Sequence, residues 1–240
     1  MKVLFGFLVF GTLLFGLSPE FVEYQEDDLN LSAGISNLAD YKRTETELLK
    51  LISIEEYDAT YFLGRLYMRD HNLSDINIKR DSKKAKKAFD LGVRHGIVNS
   101  AIYLGMLELN EKNHANALAT FEKIVKFEDT KAKKIPPKQR LIMAMMFSSV
   151  VLQHFIKEDI AVNNAIRYVE PLAVNQKSLR GAFYLAHLYK ARGNIRKANM
   201  YLNIACLNSQ TPPEIKRECF NSDYVEVVPN SENNDTNTTK

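Results

Sequence analysis

Three triplets recur along the chain, Phe62-Leu63-Gly64, Tyr103-Leu104-Gly105 and Tyr184-Leu185-Ala186, separated by 41 and then 81 residues. The spacings are close to one period and then two. A fixed period of this size marks units that are each one helical hairpin, unable to bury an apolar face alone and therefore stacked on neighbours. The expected fold class is all-α, an α-α superhelix of about four hairpins plus a C-terminal capping helix, right-handed and with essentially no sheet.

The residues around the triplets give the hairpins their detail. In the second unit Ala101, Leu104 and Gly105 share a stripe, Glu111-Lys112-Asn113 turns the chain, and Ala117, Phe121, Ile124 and Val125 form the next stripe. The last unit repeats this with Ala182, Leu185, Ala186 and Tyr189, a turn at Arg192-Gly193-Asn194, then Ala198, Tyr201, Leu202 and Ala205. Gly105 lies twelve positions before Ala117, and Ala186 twelve before Ala198. Small residues there let antiparallel helices approach, and the larger apolar residue four positions later fills the groove.

The first unit carries Leu63, Gly64, Leu66 and Tyr67, a long polar stretch from Asp70 to Asp81, then Ala85, Ala88, Phe89 and Gly92. Ahead of it a helix is expected to begin near Asp40 or Thr44. A third unit is expected in the apolar run Leu141–Phe155, opened by Pro136-Pro137. Its partner helix would contain Ala161, Ala165, Ile166 and Val169 and end near Pro171. Pro212-Pro213 opens a short helix over Glu214–Phe220 that would close the array.

The ends are different material. Lys2 precedes an apolar run from Val3 to Leu17, and Ser18-Pro19-Glu20 restores polarity. This run is short of the about 20 residues a membrane span needs and matches a secretory h-region. Residues 1–18 are read as a signal peptide, with cleavage expected between about Phe15 and Val22, or as a retained N-terminal anchor. No A-x-A pattern marks the cut, and no cysteine offers a lipid anchor. Residues 19–37 form an acidic, loosely ordered segment, 38–220 the helical repeats, and 221–240 an Asn-, Ser- and Thr-rich disordered tail. Cys206 and Cys219 are the only cysteines. In an exported chain they pair; in a reducing compartment they are two buried thiols.

The triplets and the twelve-residue spacing resemble tetratricopeptide repeats. The first unit looks like the Sel-one-like subclass, with Leu63-Gly64-x-x-Tyr67, Asp81-x-x-Lys84-Ala85, Gly92 and Gly96, then Ala101-x-x-Leu104-Gly105. The match covers roughly residues 55 to 210. It departs from the subclass by lacking the usual inter-helix glycines and by the long Asp70–Arg80 loop. The resemblance implies a scaffold that binds other proteins, and bacterial Sel-like proteins are often exported.

Chemistry is hard to find. His71, His95, His114, His154 and His187 form neither an HExxH nor a Cys-containing ligand set. No G-x-S-x-G elbow and no glycine-rich phosphate loop occurs, so no catalysis, metal or cofactor is expected. A formal charge of +3 does not argue for nucleic acid, and aromatics are not interleaved with the lysines. Two basic clusters, Lys79–Lys87 and Lys131–Arg140, read either as solvated faces or as a patch for an acidic protein segment or anionic surface. The expected function is an exported, periplasmic adaptor with a protein or peptide partner, touching membrane only through an uncleaved N-terminus. Arg65, Arg69, Glu108, His187 and Lys190 are expected to contact the partner as outward polar positions of the first helices. Rival readings are a structural subunit of a bacterial envelope machine and a secreted virulence or immune-modulating factor.

Overall fold

Asn37 accepts a hydrogen bond from the Asp40 backbone N–H at 2.9 Å and so caps the first helix, α1 (Leu38–Ser53). The computed structural model describes residues 35–130 and 133–221, and among them the fold is all-α, with ten helices and a single two-stranded ribbon. The leader, residues 19–34 of the acidic segment and residues 222–240 of the tail lie outside the described residues, while Asn37 and Asn221, assigned to the loose ends, belong to the first helix cap and the last helix.

The helices continue as α2 (Ala59–Tyr67), α3 (Ser82–Arg94), α4 (Val98–Asn110), α5 (His114–Val125), α6 (Pro137–His154), α7 (Asp159–Asn175), α8 (Leu179–Ala191), α9 (Ile195–Cys206) and α10 (Pro213–Asn221). The main contacts run between chain neighbours, α1 with α2, α2 with α3, and so on to α9 with α10. A second set skips one helix. It joins α2 to α4, α4 to α6 and α6 to α8 in one row, and α3 to α5 beside it.

Tight helix reversals explain the missing glycines. Glu55, Gly96, Lys112, Lys177 and Gly193 all have positive φ, and each lies in a short turn between consecutive helices. A residue in the left-handed region just past the helix end lets backbone N–H groups reach the last free carbonyls. Lys112 (φ 62°) and Gly193 (φ 71°) occupy matching turns, so a lysine adopts the conformation glycine adopts in the last unit. The long Asp70–Arg80 segment contains antiparallel strands β1 (His71–Asn72) and β2 (Asn77–Ile78), with His71 opposite Ile78. Asp81 then caps α3 through the Lys84 N–H at 2.9 Å.

Close helix approach is set where the small residues sit. A Cβ on Gly64 would fall 2.3 Å from the Phe89 ring, and one on Gly105 would fall 2.2 Å from the Phe121 ring. Ala85, Ala117, Phe89 and Phe121 are all fully buried. Helix α6 is buried on most of its circumference, from Leu141 through Leu152, as its apolar sequence requires. Two sequence boundaries move. Helix α1 begins at Leu38, since Asn37 rather than Asp40 or Thr44 is the cap, and α7 continues a turn beyond Pro171. That proline is exposed, and the donor it lacks costs α7 one bond on the solvent side.

Helix α10 closes one end. Ile215 is 3% exposed, Arg180 pairs with Glu214 at 2.5 Å, and Thr211 Oγ1 donates to the Ala205 carbonyl at 2.7 Å. Cys206 and Cys219 are bonded, with Cα atoms 5.9 Å apart, within the range a disulfide requires.

Candidate functional site

The row α2, α4, α6, α8 is held by contacts at each step. Tyr61 on α2 packs edge-on to Tyr103 on α4, and the Arg65 guanidinium lies 4.9 Å from the Tyr103 ring centroid. On the next step but one, Tyr184 of α8 hydrogen-bonds Ser149 of α6. Burial outweighs the Ser149 hydrogen bond and the Arg180 charge, both of which lower it, and drives the Tyr184 hydroxyl well above its ordinary pKa, so it stays neutral.

The half-buried and exposed positions of these helices follow helical spacing. On α4, Asn99, Tyr103 and Met106 are half-buried, and Asn110 is exposed, while the residues between them are buried or face α5. On α6 the same spacing gives exposed Lys138 and half-buried Ile142 and Met145. Phe62 and Arg69 continue the stripe at the α2 end, and His187 and Lys190 at the α8 end. The stripe is thus apolar in the middle and cationic at its ends. The four helices carry Arg65, Lys138, Arg140, Arg180 and Lys190 against one carboxylate, Glu108. Glu108 turns away toward Lys86 on α3, its Oε1 3.0 Å from the ammonium.

The five residues expected at the partner surface divide accordingly. Arg69 and His187 are half-buried, and Lys190 is exposed. Arg65 is 3% exposed and Glu108 is 8% exposed, so neither is an outward position. Arg65 is sandwiched by Tyr61 and Tyr103, and Glu108 packs between hairpins. His187 is also largely enclosed, edge-on to Phe183 at 4.6 Å, and burial followed by the Lys190 charge pushes its pKa down to about 4. The expected helix-packing residues Leu63, Tyr67, Leu104, Leu185, Ala186, Tyr189, Ala198 and Leu202 are all buried. Gly64 and Gly105 are buried beside them.

A second cleft of about 320 Å³ lies on the other side, between α3 and α5, and includes Lys86, Lys87, Lys123, Asp90 and Glu108. Its charges are committed internally. Lys86 pairs with Glu108 and with Glu111 at 2.5 Å, and Lys123 lies 3.7 Å from Asp90. In the first basic cluster, Lys86 ties α3 to the end of α4, and Lys84 lies 3.8 Å from Glu45 on α1. The second is similar, with Lys133 on Asp58 at 3.1 Å and Arg140 on Asp129 at 2.5 Å.

Three knots of Glu, Tyr and Lys were not singled out from sequence. Tyr67 donates to Glu45 at 2.6 Å, with Lys84 5.1 Å above the Tyr67 ring. Tyr189 and Tyr201 each donate to Glu170 at 2.8 Å, with Lys197 4.6 Å from the Tyr189 ring centroid. Tyr168 donates to Glu122 at 2.6 Å, beside Lys126. Burial works against the Glu170 charge, but bonds from Tyr201, Tyr189 and Lys197 outweigh it and hold the carboxyl below its usual range. The legible signal was the lysine one residue before Ala85 and Ala198.

Among the described residues, no three His, Cys, Asp or Glu side chains converge to hold a metal ion. No described helix is long and apolar enough to cross a membrane. No protein-family model, curated protein sequence or solved structure matches this chain.

Proposed function

We propose that the chain is an exported, tetratricopeptide-like helical-repeat adaptor, whose row of first helices holds an extended acidic segment of a partner protein. The repeat reading is supported by contacts that recur with the sequence period. Phe89 fills Gly64 as Phe121 fills Gly105, four residues after Ala85 and Ala117. Tyr67 and Tyr189 stand three residues after Gly64 and Ala186, Lys84 and Lys197 one residue before Ala85 and Ala198, and each pair meets a glutamate of the preceding helix, Glu45 or Glu170. Export is supported by the Cys206–Cys219 bond together with the apolar leader sequence.

The observation that carries the binding reading is the charge of the row. The four helices carry five basic residues and one acidic one; Arg65 is buried, Arg140 pairs with Asp129 and Arg180 with Glu214, and Lys138 and Lys190 are the exposed ones. An apolar, aromatic centre flanked by cations suits an extended peptide with interspersed acidic and aromatic residues.

Titration of the purified chain with acidic and basic peptides of equal length tests it. The acidic peptide is expected to bind, weakening about tenfold in Lys138→Glu/Lys190→Glu and as salt is raised. Equal binding of the basic peptide would overturn the reading.

A further inference from the structure

Among the second helices of the hairpins, α3 packs directly on α5, whereas α7 and α9 do not pack in this way. A cleft of about 250 Å³ opens between their C-terminal halves. Ala182 and Tyr201 are buried and form its floor, while Val174 on α7 and Ile204 on α9 are 56% and 48% exposed and form its lips. Met200 and Leu207 continue the Ile204 stripe, 46% and 79% exposed. Large apolar side chains left in water together mark an interaction site rather than a solvated face.

The surroundings are cationic. From residue 159 to residue 207 only Asp159 and Glu170 are acidic. Arg192 holds the first, and Lys197, Tyr189 and Tyr201 hold the second. Lys177 lines the cleft, and Arg167 and Arg196 lie earlier on the stripes of Val174 and Ile204. All three are exposed, and none forms an ion pair among the described residues.

We propose that this cleft receives one apolar side chain of an amphipathic helix from a partner protein, whose flanking Asp and Glu residues face Arg167, Lys177 and Arg196. The cleft is smaller than the about 300–1,000 Å³ that encloses a free small ligand, and it suits a single anchoring side chain. The stripe from Arg196 to Leu207 runs about 16 Å, three turns of a docked helix with apolar residues at i, i+4 and i+7. A flat lipid surface cannot fill a concave cleft. A second copy docked by a two-fold axis would bring the same three cations against themselves, which disfavours it. The surface is separate from the row α2–α4–α6–α8 and does not rest on that row binding anything.

A display library of helix-forming peptides of about sixteen residues, selected on the full oxidised chain, tests this. The selected peptides are expected to carry apolar residues at i, i+4 and i+7 with Asp or Glu beside them. They should bind at least about tenfold more weakly to Val174→Ser/Ile204→Ser and to Lys177→Glu/Arg196→Glu. All four positions are exposed, so both variants should keep the native circular dichroism spectrum. Lys138→Glu/Lys190→Glu should bind these peptides as the native chain does; peptides lost only in that variant would belong to the other row and overturn the proposal. So would a selection that yields no binders, or binders indifferent to both cleft variants. Binding of phosphatidylserine-containing vesicles that Val174→Ser/Ile204→Ser abolishes would assign the patch to lipid, and a dimer dissolved by the same change would assign it to a second copy. Either result overturns the partner helix.

Discussion

Gly105 and Phe121 are in direct contact: the Phe121 ring occupies the space where a side chain on residue 105 would begin, 2.2 Å from an ideal Cβ. The contact fixes the separation of α4 and α5. Gly105→Leu is expected to force the pair apart and cost about 1–3 kcal/mol. Gly105→Ala should cost less, and Phe121→Leu should recover part of that loss. Urea unfolding of the two single variants and the double variant measures the coupling, and simple additivity would remove Gly105 as the contact point.

The Cys206–Cys219 bond ties α10 to α9 across a separation of 13 residues. Changing both to Ser is expected to lower stability by about 2–4 kcal/mol and to open residues 206–220 to protease first. Thiol labelling of the unfolded, non-reduced protein checks the bond itself. Two reactive thiols would remove it, and with it part of the support for export.

Acid should weaken the last hairpin through His187. Its folded-state pKa of about 4 lies below the ordinary value, so the unfolded chain takes up the proton first as pH falls. Stability is fully present above about pH 6.5 and is lost progressively as pH falls toward 4, by at most about 3 kcal/mol. His154, lowered by burial and by the stacked His114 ring 3.5 Å away, contributes in the same direction. His187→Leu is expected to flatten the pH dependence of the unfolding midpoint over that window, and an unchanged slope would count against this assignment.

Glu170 on α7 serves two tyrosines and a lysine from two further helices, Tyr189 on α8 and Lys197 and Tyr201 on α9. Glu170→Leu leaves the Tyr189 and Tyr201 hydroxyls without their acceptor, and a loss of about 2–4 kcal/mol is expected. Tyr201→Phe, which removes one donor and leaves the others in place, should cost about 1 kcal/mol. Thermal melts of the three proteins rank these effects, and equal losses for both variants would mean that packing dominates.

The helices were legible because burial follows spacing. Gly105 to Ala117 and Ala186 to Ala198 are local patterns that helical geometry converts directly into contacts. Outwardness was less legible. Arg65 and Glu108 are charged, and on an isolated helix charge faces water; here Tyr103 from the next hairpin covers one, and Lys86 from the preceding hairpin neutralises the other. The Glu–Tyr–Lys knots escaped for the same reason, since Glu45 to Tyr67 and Glu170 to Tyr189 join helices whose relative placement no local pattern encodes. The β1–β2 ribbon was too short to stand out from a polar loop.

The middle unit inverts the pairing of its neighbours. Glu108 stands three residues after Gly105, where Tyr67 and Tyr189 stand in the outer units, and its partner Lys86 lies 22 residues earlier, as Glu45 does from Tyr67. Suppose that the α4–α5 hairpin docked one place too early during folding, directly on α1. Glu108 would then meet Glu45, carboxylate against carboxylate, and Lys86 would be left without a counter-ion. Helices docked in series along a chain are prone to mis-stacking. The swapped charge would penalise that one misplacement, putting like charges together where the native docking has an ion pair.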